Sequence, residues 1–165
     1  EFFRKERLSE MTGKIDARLT ALNIELPDAP APAANYVPFV LSGNLVFVSG
    51  QVPWVGGERN FVGKVGVDYT VEEGQDAART VALNIIAQVK AACDGDLDRV
   101  VRCIKLGGFV NCPDNFYQQP QVINGASDLM VDVFGDAGRH SRFAVGAPAL
   151  PFNVAVEIDA VFEIR

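Results

Sequence analysis

Histidine is almost missing from this chain: His140 is the only one in 165 residues. The three cysteines, Cys93, Cys103 and Cys112, are dispersed, odd in number and without C-x-x-C spacing. One imidazole and scattered thiols leave little from which to build a zinc site. The same thiols fit a reducing cytoplasm, each as a buried structural group. No apolar run approaches the roughly 20 residues of a membrane helix. The opening stretch EFFRKERLSE lacks the apolar core of a secretion signal. Basic charge is also short, with 15 Lys and Arg against 21 Asp and Glu, a net charge of −6. Phosphate binding needs a basic face, so nucleic acid is not an expected partner. The glycines between Gly56 and Gly66 match neither G-x-G-x-x-G nor a P-loop.

What is present is ordinary for a globular protein, at 48% apolar and 22% charged residues. We expect a single domain over residues 11–165, long enough to bury a substantial core. Residues 1–10 are charged and out of register with the neighbouring segment, so they read as an added extension, with Met11 as the natural start. Thr12 is expected to cap a helix running to about Leu22, with Ile15, Leu19 and Leu22 on one face. IELPDAPAPAA, with Pro27, Pro30 and Pro32, is then an extended linker. YVPFVLS and LVFVSG flank Gly43-Asn44 and predict a hairpin. The glycine-rich segment after it reads as a loop or short edge strand. Thr70-Val-Glu-Glu73 is a capping box opening the longest helix, about Val71 to Ala92, which Gly95 stops. A third strand is expected from Arg99 to Val110. Asp114 or Asn115 is expected to begin a helical region that Pro120 divides, with the main helix from Gln121 to Phe134 ended by Gly135.

The stretch from Gly138 to Ile164, GRHSRFAVGAPALPFNVAVEIDAVFEI, carries the chemistry. It reads as a strand, a turn marked by Pro148 and Pro151, and a second strand. In that second strand Val154, Val156, Ile158, Ala160, Phe162 and Ile164 share one face, while Glu157 and Asp159 lie on the other. Arg142 opens the preceding strand, where a hairpin would bring it against Glu157. By residue type alone such a pair is most often a structural ion pair. Asp159 adds little as an acid–base partner, since solvated strand faces commonly carry such spacing. A triad from Ser141, His140 and an acid is disfavoured, because sequence neighbours rarely face each other and no nucleophile elbow exists. Tyr36 and Phe39 read first as core aromatics. The order hairpin, helix, strand, helix, hairpin rejects a doubly wound sheet and favours an α+β layer, one mixed sheet with its helices on one face. Val46 and Val48 alternate with Leu45 and Phe47, so both sheet faces are apolar and oligomerisation is expected.

An Arg opening a strand, then Leu-Pro, then Val-Glu-Ile-Asp-Ala, resembles the signature of the YjgF/Rid family, the reactive-intermediate deaminases also called endoribonuclease L-PSP-like. APAANYVP followed by GNLVFVSGQVP is similar to the family's amino-terminal pattern, and the resemblance covers nearly all of residues 30 to 164. It implies a chorismate-mutase-like α+β fold and a homotrimer with clefts between subunits. It also implies hydrolysis of reactive enamines or imines to 2-oxo acids and ammonia, with a small-molecule substrate and no cofactor. Arg142 then matches the carboxylate-binding arginine and Glu157 the water-orienting glutamate. Tyr36, Ser49, Gly50, Asn124 and the backbone of Ala144 fall on substrate-binding positions. Phe143 stands where the family has a small hydroxyl residue, Ala144 where it has a cysteine, and the stretch before Arg142 is longer than usual. The family name also carries an endoribonuclease, and a non-catalytic module binding small acids would share the same cleft. Metal-free chemistry predicts activity that survives exhaustive chelation; loss on chelation, restored by zinc or manganese, would contradict it.

Overall fold

The structure, a computed structural model, describes residues 13–32 and 34–165. Its elements are α1 (Lys14–Ala21), β1 (Phe39–Ser42), β2 (Leu45–Gln51), β3 (Trp54–Val55), β4 (Glu58–Arg59), α2 (Val71–Ala92), β5 (Val100–Asn111), α3 (Gln119–Phe134), β6 (Ser141–Ala147) and β7 (Val156–Ile164). The extension over residues 1–10, Met11 and the Thr12 cap lie outside the described residues.

The local signals work as expected where the bonding is local. Thr70 N–H donates to Glu73 Oε2 at 2.7 Å and Glu73 N–H donates to Thr70 Oγ1 at 3.2 Å, so the capping box closes the first turn of α2. Gly43 turns β1 into β2 with φ +61, a conformation that favours glycine. The helical region after β5 differs from what its residues suggest. No helix starts at Asp114 or Asn115, and Pro120 does not divide one; it sits in the first turn of α3, where a missing N–H leaves nothing unpaired. At α1 the cap comes from far along the chain: Asp98 accepts the Lys14 and Ile15 N–H groups, each at 2.9 Å.

Five strands form one mixed sheet in the order β1-β2-β7-β5-β6, and only β5 and β6 run parallel. The α+β layer is therefore as expected, but β6 and β7 are not a hairpin. β5 lies between them, paired antiparallel to β7 and parallel to β6. Helices α2 and α3 pack on each other and on one sheet face, α2 over β2 and β7, α3 over β5 and β6. That face buries Val156, Ile158, Ala160, Phe162 and Ile164 with Val46, Val48, Leu106 and Val110. The other face is open in the single chain and carries Phe47, Phe109, Phe143 and Val145.

Glycines set how closely the layers approach. A Cβ on Gly108 would sit 2.8 Å from Ile123, and one on Gly125 would strike the main-chain carbonyl of Gln75 where α3 crosses α2. Backbone cannot swing aside as a side-chain tip can. Gly125→Ala should therefore cost about 1–3 kcal/mol, the usual range for overpacking, read as a lower urea midpoint.

Candidate functional site

Glu157 stands on the open face of β7, and β2 is shaped around it. The β2–β7 register passes from Val48↔Ala160 to Gln51↔Ile158, so β2 carries one extra residue across Ser49 and Gly50. Such a bulge bends the strand and re-aims its groups. A Cβ on Gly50 would collide with Glu157 Oε1, so the close approach of carboxylate to backbone requires glycine. The Ser49 hydroxyl donates to the Val37 carbonyl at 2.6 Å and Ser49 N–H to that of Pro38 at 2.9 Å. Both bonds hold the loop that presents Tyr36. Tyr36, Gly50 and Glu157 line a cavity of about 490 Å³ with Trp54, Arg59 and Phe152. Its walls are tied to α2 from beneath: buried Asn84 donates to the Val52 and Trp54 carbonyls at 3.1 and 3.0 Å, and buried Gln88 to that of Pro30 at 2.6 Å. Burial, and then the Asp159 charge, push the Glu157 carboxyl above its ordinary value of 4.5. Both disfavour the anion. The result is a carboxyl with raised proton affinity at the wall of an aromatic cavity.

Arg142 lies in a second cluster. It faces α3, donating from Nη1 to Ser127 Oγ at 3.0 Å and from Nη2 to the Pro120 carbonyl at 3.1 Å. His140 Nδ1 is 2.6 Å from the Gly138 carbonyl and Nε2 is 2.8 Å from Ser127 Oγ. A carbonyl only accepts, so Nδ1 bears the proton and, in the neutral ring, Nε2 accepts from the Ser127 hydroxyl. The chain of donation runs Arg142 to Ser127 to His140 to Gly138. Asn124 is four residues beyond Pro120 and three before Ser127, on the same face of α3. Ala144, two residues beyond Arg142 in β6, points the same way.

Arg142 and Glu157 do not meet within one chain. Arg142 lies in the row Arg142–Leu106–Ala160, Glu157 in the row Val145–Phe109–Glu157, and their side chains leave opposite faces of the sheet. The structural ion pair expected across a hairpin is absent because β5 separates the strands. Among the described residues no ion pair involves either side chain.

A family model described as "YjgF/chorismate_mutase-like, putative endoribonuclease" matches residues 16–163. The chain belongs to this family. Protein TCP17 of Trypanosoma cruzi is 51% identical over 157 residues, 93% of this chain and 96% of that one. A solved protein of unknown function from Agrobacterium tumefaciens is 52% identical with a TM-score of 0.86, covering 92% of both chains. E. coli TdcF with bound serine is more distant, 27% identical with a TM-score of 0.60, covering 86% of this chain and 96% of its own.

Against the family pattern, the site positions fall into two clusters: Tyr36, Ser49, Gly50 and Glu157 in one, Asn124, Arg142 and Ala144 in the other. Tyr36 is a cavity wall, about half exposed, and not the core aromatic its type suggests. Phe39 does pack against the core. Phe143, the larger departure, faces the open side and meets Phe109 edge-on at 5.4 Å between ring centroids. A Cβ on Gly107 would strike that ring and Asp159 Oδ1. Ser141 donates to the Ile104 carbonyl, not to His140. The pairing of Ser127 with His140 is not evident in the sequence; the three-residue step from Asn124 is the one signal pointing to Ser127. Arg59, Trp54 and Phe152 carry no sequence signal at all. Among the described residues no His, Cys, Asp or Glu group is arranged to hold a metal, and no helix is long and apolar enough to cross a membrane. All three cysteines are buried and free, with Cys103 pushed up to about 12 by burial.

A raised carboxyl pKa means the folded chain binds its proton more tightly than the unfolded one. The stability this contributes is present below 4.5 and is lost as pH rises through the folded value. Glu157→Gln should therefore melt higher than the parent at neutral pH, with the two curves converging in acid. Asp159→Asn should shrink the gap by relieving the second cause. Thermal unfolding measured across pH reads both.

Proposed function

We propose that this chain hydrolyses reactive enamines and imines derived from amino acids, giving 2-oxo acids and ammonia, in clefts between copies of a homotrimer. The observation that carries this reading is Glu157: half-buried, raised in pKa by burial, and seated over Gly50 at the wall of the cavity. A carboxylate whose proton affinity is raised is a stronger base toward water than an ordinary one.

The chemistry needs few parts. Water attacks the electrophilic imine carbon as Glu157 accepts its proton. Glu157 returns that proton to the nitrogen of the resulting carbinolamine, the C–N bond breaks and ammonia leaves, and the carbinolamine hydroxyl passes its proton to Glu157 as the carbonyl forms. An iminium carbon is already electrophilic, so no metal or organic cofactor is called for. Arg142 holds the substrate carboxylate bidentately, through a planar fork that lysine lacks. Ser127 and the Pro120 carbonyl already orient the guanidinium, and Asn124 and the Ala144 backbone stand beside it.

Because Arg142 and Glu157 leave opposite faces of the sheet, a complete site needs Arg142 of one copy opposite Glu157 of another. Support for such packing comes from the open face, where Phe47 is 45%, Phe109 40% and Val145 43% exposed. Contiguous apolar surface of that kind marks an interface. TdcF, a relative with bound serine, supports a ligand of amino-acid size and charge. The buried free thiols fit a reducing cytoplasm as the working compartment. Endoribonuclease activity is the second reading, favoured by the family description. The net charge of −6 argues against it, as does the engagement of His140 on both ring nitrogens.

The test pairs turnover of freshly generated imines with stability. Arg142→Lys, Arg142→Ala and Glu157→Gln should each lower hydrolysis by about two orders of magnitude or more, corresponding to roughly 3 kcal/mol. Arg142→Ala should lose about 1–2 kcal/mol of stability from its two bonds to α3 and still give three chains' mass by light scattering. Full turnover in Arg142→Ala, or a stable monomer of the parent chain, would remove this site.

A further inference from the structure

We propose that Arg59 reads the far end of the substrate, and that the preferred imines carry a side chain ending in a carboxylate. This rests on the assignment of the Glu157 cavity as the reaction site and extends it to substrate class.

In the single chain the cavity measures about 490 Å³, within the roughly 300–1,000 Å³ of sites that enclose drug-sized ligands, and it extends from Glu157 to Arg59, beyond the reacting carbon. Its charges are also separated. Glu157 is the one acidic residue and Arg59 the one cationic residue lining it, and they form no ion pair with each other. Between them the walls are Pro30, Pro32, Trp54 and Phe152, apolar surface suited to a short methylene chain.

Arg59 is held in a defined pose. Its guanidinium carbon lies 3.6 Å from the Phe152 ring centroid and 5.8 Å from that of Trp54. Stacking of this kind occupies the face of the planar group and leaves its N–H edge free for a carboxylate fork. Among the described residues no carboxylate pairs with it. Phe152 is in turn presented by an unusual turn, with φ +57 at Phe152 and +58 at Asn153, a region bulky residues avoid. Three bonds pin that turn: Asn111 Nδ2 donates to Asn153 Oδ1 at 3.0 Å, Gly63 N–H to the Asn153 carbonyl at 2.7 Å, and Asn153 N–H to the Leu150 carbonyl at 3.0 Å. The strained backbone keeps an aromatic ring about half exposed beneath Arg59, an arrangement a core would not need.

The experiment compares acids differing only in the distal group. Calorimetry on the full chain measures 2-oxoglutarate and 2-oxobutyrate; turnover is measured on imines that an amino-acid oxidase forms from glutamate and 2-aminobutyrate. The parent should favour the dicarboxylic member in both. In Arg59→Ala and Arg59→Gln that ratio should fall about ten- to a hundredfold, the size of one charge-assisted contact, with melting temperatures close to the parent's. Arg59→Lys should keep part of the preference. No turnover on either imine, with an Arg59-dependent preference in binding, would overturn the hydrolase and leave this assignment standing. Equal loss for both acids would mean Arg59 holds the reacting carboxylate, and no preference or no binding in the parent would equally overturn it.

Discussion

Strand β7 is hydrogen-bonded on both edges, to β2 and to β5, and the rest of the molecule is arranged by that constraint. Its inward residues are the floor on which α2 and α3 rest. Its outward residues, Glu157 and Asp159, cannot move independently of that floor. A strand paired on both sides is stiff, so a carboxylate mounted on it has a fixed position relative to β2. The bulge at Ser49 and Gly50 is the compensation: β2 yields locally so that the Glu157 carboxyl can lie over glycine backbone. Position and proton affinity of the same group thus share one cause, since the contact that fixes the carboxyl also removes it from water.

The second cluster depends on a different kind of support. Arg142 stands on β6, an edge strand, and edge positions are less constrained than central ones. The guanidinium is instead oriented by α3, through Ser127 and the Pro120 carbonyl. Pro120 has a double part here. It starts the helix without wasting a donor, and its carbonyl accepts from the Arg142 guanidinium. His140 completes the network by accepting the Ser127 proton, which leaves both Ser127 lone pairs to the guanidinium side. The short turn Gly135–Gly138 before β6 holds the imidazole there, through the Gly138 carbonyl.

Around the cavity, polar residues with no exposure of their own do the anchoring. Asn84 and Gln88 sit in the apolar interior of α2, each committing its amide to backbone carbonyls of the cavity wall. Buried amides without partners would be costly, so their presence and their partners specify how the linker and the β3 strand lie. Asn111 does the same for the turn that carries Phe152.

Sequence distance separates the features that are legible in the chain from those that are not. The capping box at Thr70, the bounds of α2, the Gly43 turn and the two-residue period of β7 each rest on interactions within a few residues, so the sequence alone determines them. The α+β class and the family are legible in the same way. Alternation tells which face a side chain takes but not which strand lies alongside, and that is why β6 and β7 read as a hairpin. Only the tertiary structure inserts β5 between them, and with it the separation of Arg142 from Glu157. The Asp98 cap on α1, the bond between Ser127 and His140, and the stack of Arg59 on Phe152 join residues brought together by packing. No local pattern encodes them, because the energy that selects them belongs to the assembled layers and not to any segment.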